Sequence, residues 1–185
     1  TLVCVEDEAG AVNAGHYTAR LTLSTGGNMN YYITDDDETS YDVTYIYQSF
    51  TVEKATIVRP DISAPSGSVY NGSDQTFDLS GIDTKLSVAV DGDATVSNRI
   101  ITARNSGSYT ITVSIADEYS QNFEWEGSDQ SPLILKWTID KASLTVTWSY
   151  TDSLVYNGSA QAPGYEVSGW QGDDSSNYTL ELTGQ

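Results

Sequence analysis

The sequence predicts an all-β fold built from repeats, and three observations lead to that prediction. Thr, Ser, Val and Tyr dominate the segments with regular patterns, and these residues favour strands over helices. No stretch of about a dozen residues shows the 3.6-residue periodicity of an amphipathic helix. The motif Val-Tyr-Asn-Gly-Ser-x-Gln occurs at residues 69–75 and again at residues 155–161. An internal repeat on this scale sets the unit of folding.

Two nine-residue segments, at residues 15–23 and 107–115, predict matching strands. In both segments the odd positions are apolar or glycine and the even positions are polar or charged. Such alternation buries one face of a strand and leaves the other in water, and the shared register predicts the same packing in both copies. Each segment opens on Gly-x-Tyr-Thr, with Tyr17 in the first copy and Tyr109 in the second.

Two further segments mark positions inside the repeat. The Asn-Gly pairs of the duplicated motif accept positive φ at low cost, so they predict tight turns between extended segments. An acid-Lys-Ala step recurs at residues 53–55 and 140–142, each time between two alternating segments. We call these two steps the first and the second seam, because each is predicted to mark the end of one repeat and the start of the next.

The order of these segments predicts one complete repeat between two partial ones. Residues 58–143 contain all the segments in sequence and are predicted to form the complete repeat. Residues 1–57 correspond to the rear part of a repeat, and residues 144–185 correspond to the front part. Because the two parts are complementary, we expect them to complete each other, either within one molecule or by head-to-tail self-association.

Charge and cysteine content narrow the classes of partner. The formal net charge is −18, from 26 acidic and 8 basic residues. A field of this sign repels nucleic-acid phosphates and anionic membranes, so neither is an expected partner. No apolar run reaches the roughly 18 residues of a membrane span. Cys4 is the single cysteine, which excludes an intrachain disulfide and is more typical of bacterial surface domains than of small eukaryotic secreted ones.

The repeated motifs resemble those of tandem bacterial immunoglobulin-like repeats of the MBG and YDG type, which occur in large surface proteins and adhesins. The resemblance is carried by Tyr-Asn-Gly-Ser-x-Gln at 70–75 and 156–161, by the Gly-x-Tyr-Thr steps at 15–18 and 107–110, and by Asp-Lys-Ala at 140–142. It spans essentially the whole chain. It implies immunoglobulin-like β-sandwich repeats in a stalk or array on the cell exterior, and it implies no catalytic residues.

Strand length and turn spacing also predict a sandwich, independently of the resemblance. About seven short strands with turn signals every 8–12 residues are typical of the immunoglobulin-like fold. Tyr17 and Tyr109 occupy the position of a tyrosine corner, whereas Ala19 and Ile111 stand where antibody domains have a cysteine. Packing alone must therefore hold the sheets together, and the expected core residues are Trp137, Tyr109, Ile111, Val113 and Leu135.

Neither His16 nor Cys4 predicts a catalytic or metal site. His16 lies at a polar position of an alternating strand, where the second copy has Ser108, and no nucleophile motif accompanies it. A solvent-facing strand residue is favoured over a general base or a metal ligand. Cys4 lies between Val3 and Val5, which favours an apolar strand position.

Acidic clusters are the only candidates for a metal site. Calcium needs about six to eight converging oxygens, and the spacings of the acidic residues supply them only in combination. Asp35, Asp36 and Asp37 are the first candidates for a structural calcium ion, because they lie in a loop that is longer in the first copy of the repeat. A solvated acidic loop is the favoured interpretation, and no cofactor is expected.

Two classes of function remain open. The favoured hypothesis is a non-enzymatic module of a bacterial cell-surface protein, acting as a spacer or adhesin segment beside neighbouring repeats. The alternative is a carbohydrate- or protein-binding module for a host or matrix partner, with Tyr41, Tyr45 and Tyr47 as the candidate surface and calcium as an optional aid. Aromatic side chains along one groove would favour binding, and aromatic side chains that are all buried would favour a spacer.

Overall fold

The described part of the chain is almost entirely β-structure. The computed structural model describes residues 2–4, 11–22, 33–34, 40–41, 45–149 and 153–183, and for residues 2–4, 22, 33–34, 40–41 and 45–46 it describes the backbone alone. The helical segments within these ranges are two single 3-10 turns, Asp117–Tyr119 and Asp174–Ser176. The predicted all-β class is confirmed. No helix in the described ranges is long and apolar enough to cross a membrane.

The strands are short. In chain order they are β1 (Leu2–Cys4), β2 (Gly15–Thr22), β3 (Ile33–Thr34), β4 (Ser40–Tyr41), β5 (Tyr45–Val52), β6 (Ala55–Ile57), β7 (Ser68–Val69), β8 (Gln75–Asp78), β9 (Leu86–Asp91), β10 (Ala94–Ser97), β11 (Ile100–Ala103), β12 (Gly107–Ile115), β13 (Phe123–Trp125), β14 (Leu133–Asp140), β15 (Thr145–Trp148) and β16 (Tyr165–Ser168).

Spatial contacts divide the chain into two compact units. Unit 1 comprises Thr1–Arg59 and Ile115–Gln130, and unit 2 comprises Pro60–Ser114 and Ser131–Gln185. Each unit is therefore built from two separate stretches of the chain.

Unit 2 contains two larger sheets and one hairpin-like pair. One sheet has the order β7-β14-β12-β9, in which β7 runs parallel to β14 and β14 runs antiparallel to β12. The other has the order β10-β11-β8, with both pairs antiparallel. Strands β15 and β16 form a separate antiparallel pair.

The core of unit 2 lies between its two larger sheets. Along β12 and β14 the odd-numbered side chains are buried from Tyr109 to Val113 and from Leu135 to Ile139, as period-two alternation requires. Phe77 of β8 meets the Trp137 ring edge-on at 6.4 Å between centroids, so the two sheets face each other here. All five predicted core residues are buried, which confirms that prediction. Burying each large apolar side chain stabilises the fold by roughly 1.5–3 kcal/mol.

Unit 1 contains the sheet β1-β2-β5, the pair β3-β4, and the parallel pair β6-β13. Tyr17 lies opposite Phe50 on the neighbouring strand, and the two rings stack at 5.7 Å. Ala19 is buried, but Leu21 is 41% exposed. The predicted apolar face of the first copy is thus less completely covered than the corresponding face of β12.

The duplicated Tyr-Asn-Gly-Ser motif forms the same turn in both copies. The Asn side chain accepts a hydrogen bond from the backbone N–H of the Ser two residues on, at 3.0 Å for both Asn71 and Asn157. The Gln at the end of the motif donates back to the Val carbonyl that opens it, at 3.1 Å and 3.0 Å. Gly72 and Gly158 have φ of 75° and 80°, in the left-handed region that glycine adopts without strain. The motif therefore encodes a self-contained turn.

Candidate functional site

The candidate residues named from the sequence lie mostly beyond the described side chains. Asp35, Asp36 and Asp37 fall outside the described residues. Tyr41 and Tyr45 belong to β4 and β5, but only their backbone is described. Tyr47 is 53% exposed on β5. In the ranges that the structure describes, no group of three or more His, Cys, Asp or Glu side chains is placed to hold a metal ion.

His16 and Cys4 both lie in strands. The His16 side chain is exposed, and its Nδ1 lies 2.9 Å from Thr51 Oγ1 on β5, which confirms the predicted solvent-facing position. Cys4 ends β1 opposite Ala19, and its side chain is outside the described part.

A cleft of about 500 Å³ lies in unit 2. It brings together the start of the first Asn-Gly motif, the turn before β12, the second seam and the segment that follows β16. Its lining consists of Tyr70, Asn105, Ser106, Lys141, Ala142, Leu144, Gly169, Trp170, Gln171, Asp174 and Tyr178. A concave surface of this size with mixed apolar and polar lining is typical of a ligand-binding cleft.

One wall of the cleft is aromatic. The rings of Trp170 and Tyr178 stack with centroids 5.8 Å apart and an interplanar angle of 29°. Tyr178 is 64% exposed, so this wall presents apolar surface to solvent. Such a stacked pair offers a flat platform for another ring or for an apolar ligand face.

Tyr70 and Asp174 join the two sides of the cleft. The Tyr70 hydroxyl donates a hydrogen bond of 2.6 Å to the Asp174 carboxylate. This hydrogen bond, followed by burial and the charge of Asp174, raises the pKa of Tyr70 above its usual value of 10.0. The phenol is therefore a neutral donor at physiological pH, and it holds Asp174 in place.

The Asn-Gly turn is packed against the segment that carries the aromatic wall. A Cβ at Gly72 would lie 3.2 Å from the backbone carbon of Gln171 and 3.3 Å from the backbone nitrogen of Gly172. This close approach adds a second reason for glycine at position 72, beyond its positive φ.

Lys141 is the cationic residue among those that line the cleft. Its side chain is exposed, and no hydrogen bond or ion pair to another described residue is found for it. Leu144, three residues further on, is 44% exposed. The cleft thus offers an aromatic platform, an exposed apolar side chain and an exposed ammonium group, which together can bind a ligand by stacking and hydrogen bonding.

The first seam lies in unit 1. We call it occupied, because β13 pairs with the strand β6 that begins at its last residue, Ala55. Lys54 Nζ donates to the carbonyl of Ser120 at 2.6 Å. The Ala55 N–H donates to the Asn122 carbonyl at 2.9 Å, and parallel pairing continues to Ile57, opposite Trp125. Ala55–Ile57 therefore form a short sheet with a segment more than sixty positions further along the chain.

Side chains strengthen the pairing at the first seam. Asn122 accepts a hydrogen bond from the Ala14 N–H at 2.6 Å through Oδ1, and its Nδ2 lies 2.8 Å from Asn13 Oδ1. The Arg59 guanidinium lies 5.0 Å from the centre of the Trp125 ring, a cation–π contact. Ile57 and Trp125 are only 5% and 3% exposed. At the first seam, β13 is thus fixed to β6 by backbone pairing, by the hydrogen bonds of the Asn122 side chain and by buried apolar surface.

The cleft was not predicted from the sequence, although the sequence contains one signal for it. The Ser-Gly step before Trp170 recurs at Ser80-Gly81, where the following residue is Ile82. A tryptophan that replaces an aliphatic residue at one copy of a repeat marks a position whose role differs between copies. The long-range partners Tyr70 and Asn105 carried no comparable local signal.

Comparison of the chain with protein-family models, with curated proteins and with solved structures gave no match.

Proposed function

We propose that this chain is a non-enzymatic tandem immunoglobulin-like module of a bacterial cell-surface protein and that it acts as a spacer or adhesin segment. The sheet orders of unit 2 support the fold part of this proposal. Its sheet β8-β11-β10 has the order B-E-D of such a sandwich, and β14-β12-β9 has the order G-F-C. The parallel strand β7 then takes the place of the first strand, beside the last.

Tyrosine corners in both copies support the same assignment. The Tyr109 hydroxyl donates to the Asn105 carbonyl at 2.6 Å, and the Tyr17 hydroxyl donates to the Asn13 carbonyl at 2.8 Å. Each bond returns from the start of a long strand to the backbone a few residues upstream, as in immunoglobulin-like sandwiches.

The occupied first seam is the observation that carries the spacer function. A flexible linker would leave the residues after β5 exposed and unpaired. Here Ala55–Ile57 form a strand with β13, and Ile57 is buried against Trp125. We infer that the seam resists bending, because bending would break these backbone hydrogen bonds and expose Ile57 and Trp125 to water.

A distance measurement between spin labels tests the spacer proposal. Labels at Ser49→Cys and Glu118→Cys, both in unit 1 and on either side of the paired segments of the first seam, should give a narrow distance distribution in a Cys4→Ser background. Changing both Asn122 and Trp125 to Ala should broaden it, whereas Tyr156→Ala, which alters an 89% exposed ring outside the first seam, should not. A distribution that is already broad in the unchanged chain would contradict a stiff spacer.

The second candidate function is a binding module, and the cleft beside Trp170 favours it. The core rings Tyr109, Trp125 and Trp137 are buried, as a spacer requires, but Trp170 and Tyr178 line an open cleft. A glycan array probed with the whole chain tests the carbohydrate form of this alternative. A specific signal that Trp170→Ala abolishes would rule out a pure spacer, and no signal above background would leave carbohydrate recognition unsupported.

A further inference from the structure

The cleft of unit 2 is lined by the repeat counterparts of residues that hold β13 at the first seam. The Gly-x-Tyr-Thr segments and the seams align the two copies of the repeat without ambiguity. In that alignment the lining residues Asn105, Ser106, Lys141, Ala142 and Leu144 correspond in order to Asn13, Ala14, Lys54, Ala55 and Ile57.

The counterparts differ in their hydrogen-bond partners and in their burial at the two seams. Lys54 donates to a backbone carbonyl of the 120–125 segment, whereas no partner for Lys141 is found among the described residues. Ile57 is 5% exposed, whereas Leu144 is 44% exposed. Ala55–Ile57 form a strand, whereas residues 142–144 do not belong to any strand. The same set of groups is occupied at the first seam and open at the second.

We propose that the cleft is a docking site for an extended polypeptide segment with the chemistry of residues 120–125, Ser-Gln-Asn-Phe-Glu-Trp. Such a segment adds a short parallel strand to residues 142–144, which is the β-augmentation mode of peptide recognition. Its backbone carbonyl accepts a hydrogen bond from the Lys141 ammonium, as the Ser120 carbonyl does from Lys54.

Side chains of the incoming segment give the site its specificity. An Asn that occupies the place of Asn122 can accept from the Ser106 N–H and donate to the Asn105 side chain, by analogy with Ala14 and Asn13. An aromatic residue in the place of Trp125 covers Leu144, whose exposed surface is the counterpart of buried Ile57. The aromatic platform of Trp170 and Tyr178 lies in the same cleft and adds apolar contact area.

The segments that follow the two seams differ at one relevant position. Arg59, which lies over the Trp125 ring, corresponds to Val146 in the second copy. The docked segment therefore lacks the cation–π contact, and we expect it to bind reversibly rather than as a permanent part of the fold.

A sugar would use different groups of the same cleft. Carbohydrate rings would stack on Trp170 and Tyr178 and would have no need of the edge at residues 142–144. The proposed peptide requires both Lys141 and that edge, and this difference separates the two ligands experimentally.

Titration of the isotopically labelled 185-residue chain with a synthetic peptide of residues 115–130 tests the proposal by NMR. This probe includes Gln130, whose side chain brackets Trp125 by accepting from its N–H at 2.8 Å and donating to its carbonyl at 2.9 Å. We expect saturable amide shifts at residues 105–106 and 141–144. Lys141→Ala should weaken binding about tenfold, as expected for loss of a charge-assisted hydrogen bond.

Matched variants complete the design. Lys54→Ala alters the same residue type at the occupied seam and should leave peptide affinity unchanged. Peptides with Asn122→Ala or Trp125→Ala should bind at least about fivefold more weakly than the parent peptide, because each loses a contact on which specificity depends.

Four results would overturn the docking proposal. They are the absence of shifts at millimolar peptide, equal effects of Lys54→Ala and Lys141→Ala, shifts confined to residues 55–57 through exchange at the first seam, and a cleft that responds to an oligosaccharide but not to peptide. Shifts at residues 55–57 would also show that β13 can be displaced from the first seam, which would contradict the stiff spacer. The other three results do not bear on the stiffness of that seam.

Discussion

Tyr109 illustrates at the scale of one residue how the repeat closes its core. Its ring is 2% exposed and contacts Trp137 at 5.7 Å between centroids, while its hydroxyl bonds to the Asn105 carbonyl. Burial, followed by the charge of Asp93, raises the pKa of the phenol above its usual value of 10.0. The hydroxyl therefore stays a neutral donor to the Asn105 carbonyl.

Removing this hydroxyl should destabilise unit 2. We expect Tyr109→Phe to lower the free energy of unfolding by about 1–2 kcal/mol, because the ring packing is kept while the Asn105 carbonyl loses its partner. Tyr17→Phe is the matched control and should cost less, since Tyr17 is only half-buried. Urea unfolding of both variants measures the difference, and an unchanged midpoint for Tyr109→Phe would show that water replaces the bond.

Asp78 and Asp83 make stability depend on acid. Each carboxylate accepts a backbone hydrogen bond of 2.8 Å, from Ser80 and from Lys85 respectively. These bonds are the main reason that the pKa of each group lies below its usual value of 3.8. Because the folded pKa is depressed, each contribution is present above about pH 4 and is lost as the pH falls through the folded pKa.

Replacing both groups by Asn should flatten this acid dependence. Asn keeps an acceptor oxygen in each turn but cannot titrate, so the fall in urea midpoint between pH 5 and pH 2 should be smaller than in the unchanged chain. Asp61→Asn, which removes an exposed carboxylate outside these two turns, is the control. An identical fall in the double variant would mean that the two turns contribute nothing to acid sensitivity.

At the scale of secondary-structure elements, the first seam depends on the Asn122 side chain. Its Oδ1 accepts from the Ala14 N–H, whereas its backbone carbonyl accepts from the Ala55 N–H. One residue therefore secures two amide groups by separate means.

Hydrogen exchange can distinguish the side-chain hydrogen bond to Ala14 from the backbone hydrogen bond to Ala55. In Asn122→Ala the Ala14 amide should exchange faster by at least about tenfold, because its acceptor is gone, whereas the Ala55 amide should keep its protection. Loss of protection at both amides would mean that β13 detaches as a whole, and an unchanged Ala14 rate would show that the side-chain bond does not form in solution.

The elements differ in how far the sequence predicted them. The strand pattern of β12 and the Asn-Gly turns depend on local alternation and local turn chemistry, and both were predicted from a few neighbouring residues. The parallel pairing of Ala55–Ile57 with Phe123–Trp125 depends on contacts between distant segments, for which short apolar runs give no register. The cleft was missed for the same reason, because Tyr70, Asn105 and Trp170 meet only after the chain has folded.

At the scale of the whole molecule, the chain builds two units from interleaved stretches. It leaves unit 1 after Arg59 and returns to it from Ile115 to Gln130. Unit 1 is therefore completed by residues that follow much of unit 2 in sequence.

Equivalent residues just after the two seams should contribute unequally to the stability of the full chain, because Ile57 is buried and Leu144 is exposed. Ile57→Ala should reduce the free energy of unfolding by about 2–4 kcal/mol, because it leaves a cavity beside Trp125. Leu144→Ala should cost less than about 1 kcal/mol, because the side chain is already largely in water. Urea unfolding of both variants in the full chain gives the comparison, and equal costs would contradict the distinction between an occupied and an open seam.

The pairing of β13 with β6 also limits where the gene can recombine without disrupting the fold. A segment of gene that is duplicated or exchanged as a working cassette must encode Ala55–Ile57 together with Phe123–Trp125, since these partners form one sheet. A recombination breakpoint just after Ile57 would separate them and deliver a copy whose Trp125 has nothing to cover it. Breakpoints ahead of the acid-Lys-Ala step would preserve the pair, so the step identifies where such a lineage can be cut and extended.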